Sequence, residues 1–175
     1  KTLVEKNNIY MNDINFDIAK HWLPVSEKQG SIEKDTLRIK VSGVNFHTKP
    51  EADSWGVFTG CIKPEPSNPY DSNAIGFYKS DGQLLGYVQK ELQDYVGKFT
   101  KGRELDCVIV ITPFFSKEGK IQNQAYATIL KFFEDDIEYA TETINRVTED
   151  VGHDALIEIS HFENELSSHG NIQSN

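Results

Sequence analysis

From Leu37 onward, apolar and polar positions alternate: Leu37, Ile39 and Val41, then Val44 and Phe46 either side of Asn45. A period of two predicts a half-buried strand, with Gly43 as a bulge or point of close approach. Val57–Ile62 predicts a second strand. Pro64, Pro66 and Pro69 lack backbone donors and predict a loop after it. Ala74–Tyr78 and Leu84–Val88 predict two strands joined at Ser80-Asp81-Gly82, a hairpin signal. The period then changes. Leu92, Tyr95, Val96 and Phe99 recur at helical spacing, predicting a short amphipathic helix over 89–99 that Gly102 helps to end. Leu105–Thr112 predicts a buried strand, Pro113 with Lys117–Lys120 a turn, and Gln124–Phe133 the returning strand. Beyond it, Ile137, Ala140 or Thr141, Ile144 and Val147 form one stripe and predict a helix over 134–150, with Glu134, Asp135 and Asp136 in its first turn. Residues 151–166 read as a second amphipathic segment and 167–175 as a polar end without structure. Residues 1–36 are weakly periodic.

Short strands with one inserted helix predict a mainly β fold with helices (β+α). The expected form is a small OB-like, partly open six-stranded β-barrel with a C-terminal acidic helical extension. The expected division is 1–36 as an N-terminal extension packing on the barrel, 37–133 as the barrel, and 134–175 as the acidic tail.

Charge alters this picture. The net charge of −9 argues against a nucleic-acid binder, but it is unevenly spread. Residues 41–133 hold ten Lys/Arg and ten Asp/Glu, whereas 134–175 hold Arg146 against eleven acidic residues. A neutral module suits stacking and a few phosphate contacts rather than tight binding of long duplex. The tail reads as a docked amphipathic helix, a helix for a protein partner, or a nucleic-acid mimic folded over the binding groove. Cys61 and Cys107 lack metal-ligand spacing and read as two buried thiols. No apolar run reaches membrane length and no stretch reads as a secretory leader, so the expectation is a cytoplasmic protein without membrane contact or cofactor.

The distinctive chemistry lies in Asn68-Pro-Tyr-Asp-Ser-Asn-Ala-Ile75. Pro69 stiffens the backbone. Asp71 and Asn73 suit Asx turns that cap nearby N–H groups. Tyr70 reads either as a ring packed on the barrel rim or as a stacking platform for an unpaired base, worth about 1–3 kcal/mol.

This string resembles the signature of the HIRAN family, a module of some DNA-remodelling ATPases that is also found alone in bacteria. Val41–Phe46, resembling the first strand, and Gly86–Leu92, resembling the strand-to-helix step, support the match, which covers roughly residues 37–133. The resemblance implies capture of the free 3′ end of single-stranded DNA. Tyr70 would stack on the terminal base while Asp71 accepts a hydrogen bond from the 3′-hydroxyl. It also implies roles for Phe46, where a family Tyr keeps only its ring, and for Lys90 as a phosphate contact. Their plainer readings are a core Phe and a solvated lysine. Asn45 stands where the animal module has Arg, and Tyr87 where it has His. The expected partners are single-stranded DNA or 3′ DNA ends, with RNA compatible, and a protein partner on the acidic helix. A nuclease is the weakest alternative, since no Walker loop, GxSxG, HExxH or metal-spaced Cys/His set occurs. A protein-interaction module is the stronger one.

Overall fold

The computed structural model describes residues 21–28 and 35–173; expectations for residues 1–20 and 29–34 lie outside the described residues. Six antiparallel strands form one curled sheet: β1 (Thr36–Lys40), β2 (Gly56–Pro64), β3 (Ile75–Lys79), β4 (Leu84–Tyr87), β5 (Leu105–Phe115) and β6 (Ile121–Leu130). Their order is β1-β6-β5-β2-β3-β4. Helix α1 (Gln93–Thr100) follows β4, and α2 (Ile137–Gln173) follows β6.

The two edge strands meet just beyond the end of β1. Ser42 N–H donates to Tyr87 O at 2.8 Å and Tyr87 N–H to Ser42 O at 2.9 Å. This single reciprocal pair closes the sheet at one end and leaves the barrel partly open. Gly86 permits it, because a Cβ there would lie 2.3 Å from the Ser42 carbonyl oxygen.

Strand β5 explains its own apolar sequence. Leu105, Cys107, Ile109 and Ile111 face the barrel interior, with Ile62, Phe77, Leu85, Ala127 and Ile129. The alternate residues Val108 and Val110 face outward into a second cluster with Val57, Leu130, Ala140, Val151 and Ala155, beneath α2. A strand buried on both faces loses the alternation of a half-exposed one. Trp22 and Phe132 extend this outer cluster, meeting edge to face at 5.8 Å. Further along, Phe162 of α2 stacks on Phe115 at 5.0 Å and meets Trp55 at 5.3 Å.

Several expected boundaries move. Val44–Phe46 is a 3-10 turn rather than strand, because Gly43 adopts φ 81° and turns the chain. Pro64 closes β2, and Pro113 lies inside β5 rather than in a turn. Its partner Asn123 bonds the Asn45 side chain with its own N–H and carbonyl, so Pro113 occupies a position that needs no donor toward β6. β6 ends at Leu130. The helix expected over 89–99 is a 3-10 turn (Lys90–Leu92) followed by α1, which ends at Lys101 in the left-handed region at φ 55°. The two helical segments of the tail are one, and the polar end is helical to Gln173. Glu134–Asp136 precede that helix, where Asp135 and Asp136 pair with Lys28. Ala140, Ile144 and Val147 pack inward as expected, but Ile137 is exposed. Cys107 is buried; Cys61 is only partly so, and neither forms a disulfide. Among the described residues no helix is long and apolar enough to cross a membrane.

Gly86→Ala is expected to cost about 1–3 kcal/mol, because the new methyl meets backbone rather than a yielding side chain. Gly97→Ala, inside α1 with open space at its Cβ position, is expected to be neutral or stabilising by up to about 1 kcal/mol. Urea unfolding of the two variants beside the parent checks both.

Candidate nucleic-acid interface

The loop from Glu65 to Ala74 is closed at its base, where Glu65 N–H donates to Ala74 O at 2.8 Å. Two side chains then take over the backbone's donors. Asn68 Oδ1 accepts from the N–H groups of Tyr70 (2.9 Å) and Asp71 (3.1 Å), and Asp71 Oδ1 accepts from Asn73 N–H at 2.9 Å. Successive Asx turns and Pro69 hold the loop in one shape. They also project Tyr70 outward, 96% exposed.

Beside that ring is a hollow of about 290 Å³ lined by Asn68, Tyr70, Asp71, Ala74, Tyr87, Val88, Lys90 and Gln93. Four of the seven sequence candidates, Tyr70, Asp71, Tyr87 and Lys90, therefore share one concavity. Asn73 lines an adjoining cleft of about 680 Å³, whose walls include Ala74, Lys90 and Gln93 as well. Asn45 and Phe46 are not among the residues lining the hollow. Their turn begins directly after the Ser42–Tyr87 pair and so adjoins the β4 wall. Phe46 is 91% exposed, which excludes the reading of a core Phe.

Asp71 is held as an anion. Gln93 Nε2 donates to its Oδ2 at 2.8 Å. That bond, the Asn73 N–H and the nearby Lys90 charge together lower its pKa from the ordinary carboxylate value. Tyr87 is held as a neutral phenol: burial, then the charge and hydrogen bond of Glu65, raise its pKa against the opposing Asn68 hydrogen bond. Asn45 has no such freedom. Its Nδ2 donates to Asn123 O at 2.9 Å and its Oδ1 accepts from Asn123 N–H at 2.7 Å, mimicking a strand pair. Asn123, itself buried, also takes the Trp55 indole N–H on Oδ1 and donates to Thr48 and Lys49. The amide standing in place of a family Arg is thus engaged in fixing the Val44–Phe46 turn.

Residues 58–133 match the family model of the HIRAN domain. That segment of the chain resembles a HIRAN domain. The match includes the loop, the hollow and α1, and leaves out β1 and the Val44–Phe46 turn. The chain is 35% identical over 71 residues, 41% of its length, to helicase-like transcription factor of Oryctolagus cuniculus, and spans 7% of that relative's length. Among solved structures, it is similar to the crystal structure of the HIRAN domain of human HLTF (TM-score 0.34, 21% identity, covering 63% of this chain and 87% of that one). It is also similar to the NMR structure of the HLTF HIRAN domain in its DNA-bound conformation (TM-score 0.37, 20% identity, covering 69% and 94%).

Three residues of the hollow and its support escape a reading by residue type. Asn68 carries the loop from beneath; its place before Pro69 in a turn is the one signal that points to it. Glu65 and Gln93 have none. Glu65 Oε1 accepts from Asn68 Nδ2 (3.0 Å) and the Tyr87 hydroxyl (3.2 Å), while its Oε2 accepts from the Tyr78 hydroxyl. Helix α2 contributes no lining residue to the hollow among the described residues, so its acidic face does not cover the site.

Because the folded pKa of Asp71 is depressed, its ionised form contributes stability above the unfolded carboxylate pKa, and that contribution is lost as pH falls through the folded value. Gln93→Ala removes the largest cause of the shift. The Asp71 carboxyl is then expected to titrate higher, nearer the ordinary value, in a carbon-detected NMR titration. An unmoved midpoint would show that Gln93 does not control it.

Proposed function

We propose that this HIRAN domain binds single-stranded DNA at a free 3′-hydroxyl end. The observation that carries the reading is the pairing of an almost fully exposed Tyr70, on a loop braced from below, with an anionic Asp71 in the same hollow. An exposed ring held by a rigid backbone loses little freedom when a base stacks on it. A carboxylate repels phosphate but accepts a hydrogen bond from a hydroxyl, so the ligand that satisfies both groups is a strand terminus with an unmodified sugar. In HLTF the domain has been described in a DNA-bound conformation, and the HIRAN match includes Tyr70, Asp71, Tyr87 and Lys90 here.

The remaining residues fit around that terminus. Lys90, exposed at the start of the 3-10 turn ahead of α1, offers a point charge to a phosphate one step back from the end. Phe46 offers a second exposed ring near the β4 wall. Asn73 shapes the loop through its N–H and gives its side chain to the adjoining cleft. Asn45 acts through the turn it fixes, without itself touching the strand. Tyr87 closes the hollow. On this reading the domain binds and does not catalyse. The chain divides as a barrel over 37–133, which holds the hollow, and an acidic tail from 134 onward, none of whose described residues lines the hollow.

Fluorescence anisotropy with short oligodeoxynucleotides tests the proposal. Tyr70→Ala is expected to weaken binding by roughly 1–3 kcal/mol, about 5- to 150-fold, with a nearly unchanged melting temperature because the ring packs on little. Replacing the 3′-hydroxyl with a 3′-phosphate is expected to weaken binding on the order of tenfold, as two like charges meet in a confined site. Binding that ignores the state of the 3′ end, or that survives Tyr70→Ala intact, refutes the mechanism. Binding of peptide in place of DNA would favour an adaptor role.

A further inference from the structure

The back wall of the hollow is built differently from its rim. Tyr87 lines the hollow, and its hydroxyl donates to Glu65 Oε1 at 3.2 Å. The same carboxylate accepts from the Tyr78 hydroxyl and from Asn68 Nδ2. A carboxylate has no proton to give, so each of these neighbours must be the donor. A phenol has one proton, and that of Tyr87 is committed to Glu65. Asn68 also hydrogen-bonds the Tyr87 side chain, yet what the oxygen has left toward the hollow is lone pair only. Nor is Glu65 free to turn away. Its Oε2 lies against β3, 2.6 Å from where a Cβ on Gly76 would stand, and its backbone N–H is held by Ala74. The absence of a side chain at Gly76 makes room for the carboxylate.

We infer that Glu65 is a positioning residue that fixes Tyr87 as a hydrogen-bond acceptor, so that the hollow offers two acceptors, Asp71 and Tyr87, and selects a hydroxyl terminus over a phosphate terminus. The inference rests on the proposed function of this hollow and adds the source of its selectivity. A tyrosine with a freely rotating hydroxyl would donate to a phosphate oxygen and soften the discrimination made by Asp71. With its proton held from behind, the same tyrosine repels a phosphate oxygen and accepts from a sugar hydroxyl. One buried-side carboxylate thereby sets the polarity of a wall that it does not itself line.

The experiment compares the ratio of Kd for 3′-phosphate and 3′-hydroxyl oligodeoxynucleotides in the full chain and in two variants. Glu65→Leu keeps much of the bulk but removes both carboxylate acceptors, freeing the phenol proton of Tyr87 to turn toward the hollow. Tyr87→Phe keeps the ring and removes the oxygen. Each is expected to lower the ratio by roughly two- to tenfold, the scale of one hydrogen bond, mainly by improving phosphate binding relative to hydroxyl binding. A merely structural role would weaken both ligands alike and leave the ratio unchanged, and that result in both variants overturns the inference. Should Glu65→Leu fail to fold, Tyr87→Phe decides alone. A parent chain that binds both ends equally would instead defeat the proposed function itself, and a parent that discriminates while neither variant alters the ratio defeats only the role given to Glu65.

Discussion

Two backbone hydrogen bonds between Ser42 and Tyr87 hold the arrangement together. Without them β1 and β4 are free edges of a curled sheet. With them the sheet closes at one end, and three features come into register: the Val44–Phe46 turn, the inner face of Tyr87 and the loop above β3. Their local energy is modest, about 1 kcal/mol apiece. Their effect is geometric, because they set where the rim lies. The constraint reaches into sequence at one residue: Gly86 has no side chain because the Ser42 carbonyl occupies the space a Cβ would need.

The core around that closure was largely legible, with errors of one kind. Strand and helix periods follow burial, and burial here is regular: Ile62, Phe77, Leu85, Ile109 and Ile129 all fall on the faces that alternation assigns them. Errors arose where something non-local overrides the pattern. Phe46 alternates in sequence as if in a strand, but Gly43 turns the chain and delivers the ring to solvent. Pro113 reads as a breaker, yet Asn123 opposite it turns its N–H and carbonyl to the Asn45 side chain, so the pair asks no donor of Pro113. The tail reads as two segments because its inward stripe is weak, with Thr143, Thr148 and Gly152 among its apolar positions. It is one helix because a continuous outer cluster on β2, β5 and β6 receives it.

The site was legible to a lesser and different degree. Tyr70 and Asp71 are recognisable because a turn sequence next to an aromatic has a short list of uses. Residues that hold others in place carry no such mark. Glu65 is one acidic residue among ten in the central segment. Its role exists only through Tyr78 and Tyr87, 13 and 22 positions away in the chain. Asn45 is the converse. A pattern match singles it out for a ligand, and the fold uses both ends of its amide for Asn123. Side-chain type identifies groups able to touch a ligand; which of them are left free to do so is decided by the hydrogen bonds that folding has already made.

That distinction bears on how an acidic chain would recognise nucleic acid in the way proposed above. A protein that relied on phosphate neutralisation would need a basic face, and residues 41–133 carry no net charge. The hollow contains one lysine beside one carboxylate, and Tyr87 behind them is kept neutral. Such a site gains little from a long strand, since each added phosphate meets no further dedicated cation in it. It gains most from features found once per strand: an unstacked terminal base and an unesterified hydroxyl. The acidic surface of α2, docked over the outer face of β2, β5 and β6, adds to this bias, for it repels duplex from a broad face of the domain while leaving the rim open. The proposed preference for an end would therefore follow from how few positive charges the domain brings to the strand, and from the placement of its acceptors where a terminus alone can satisfy them.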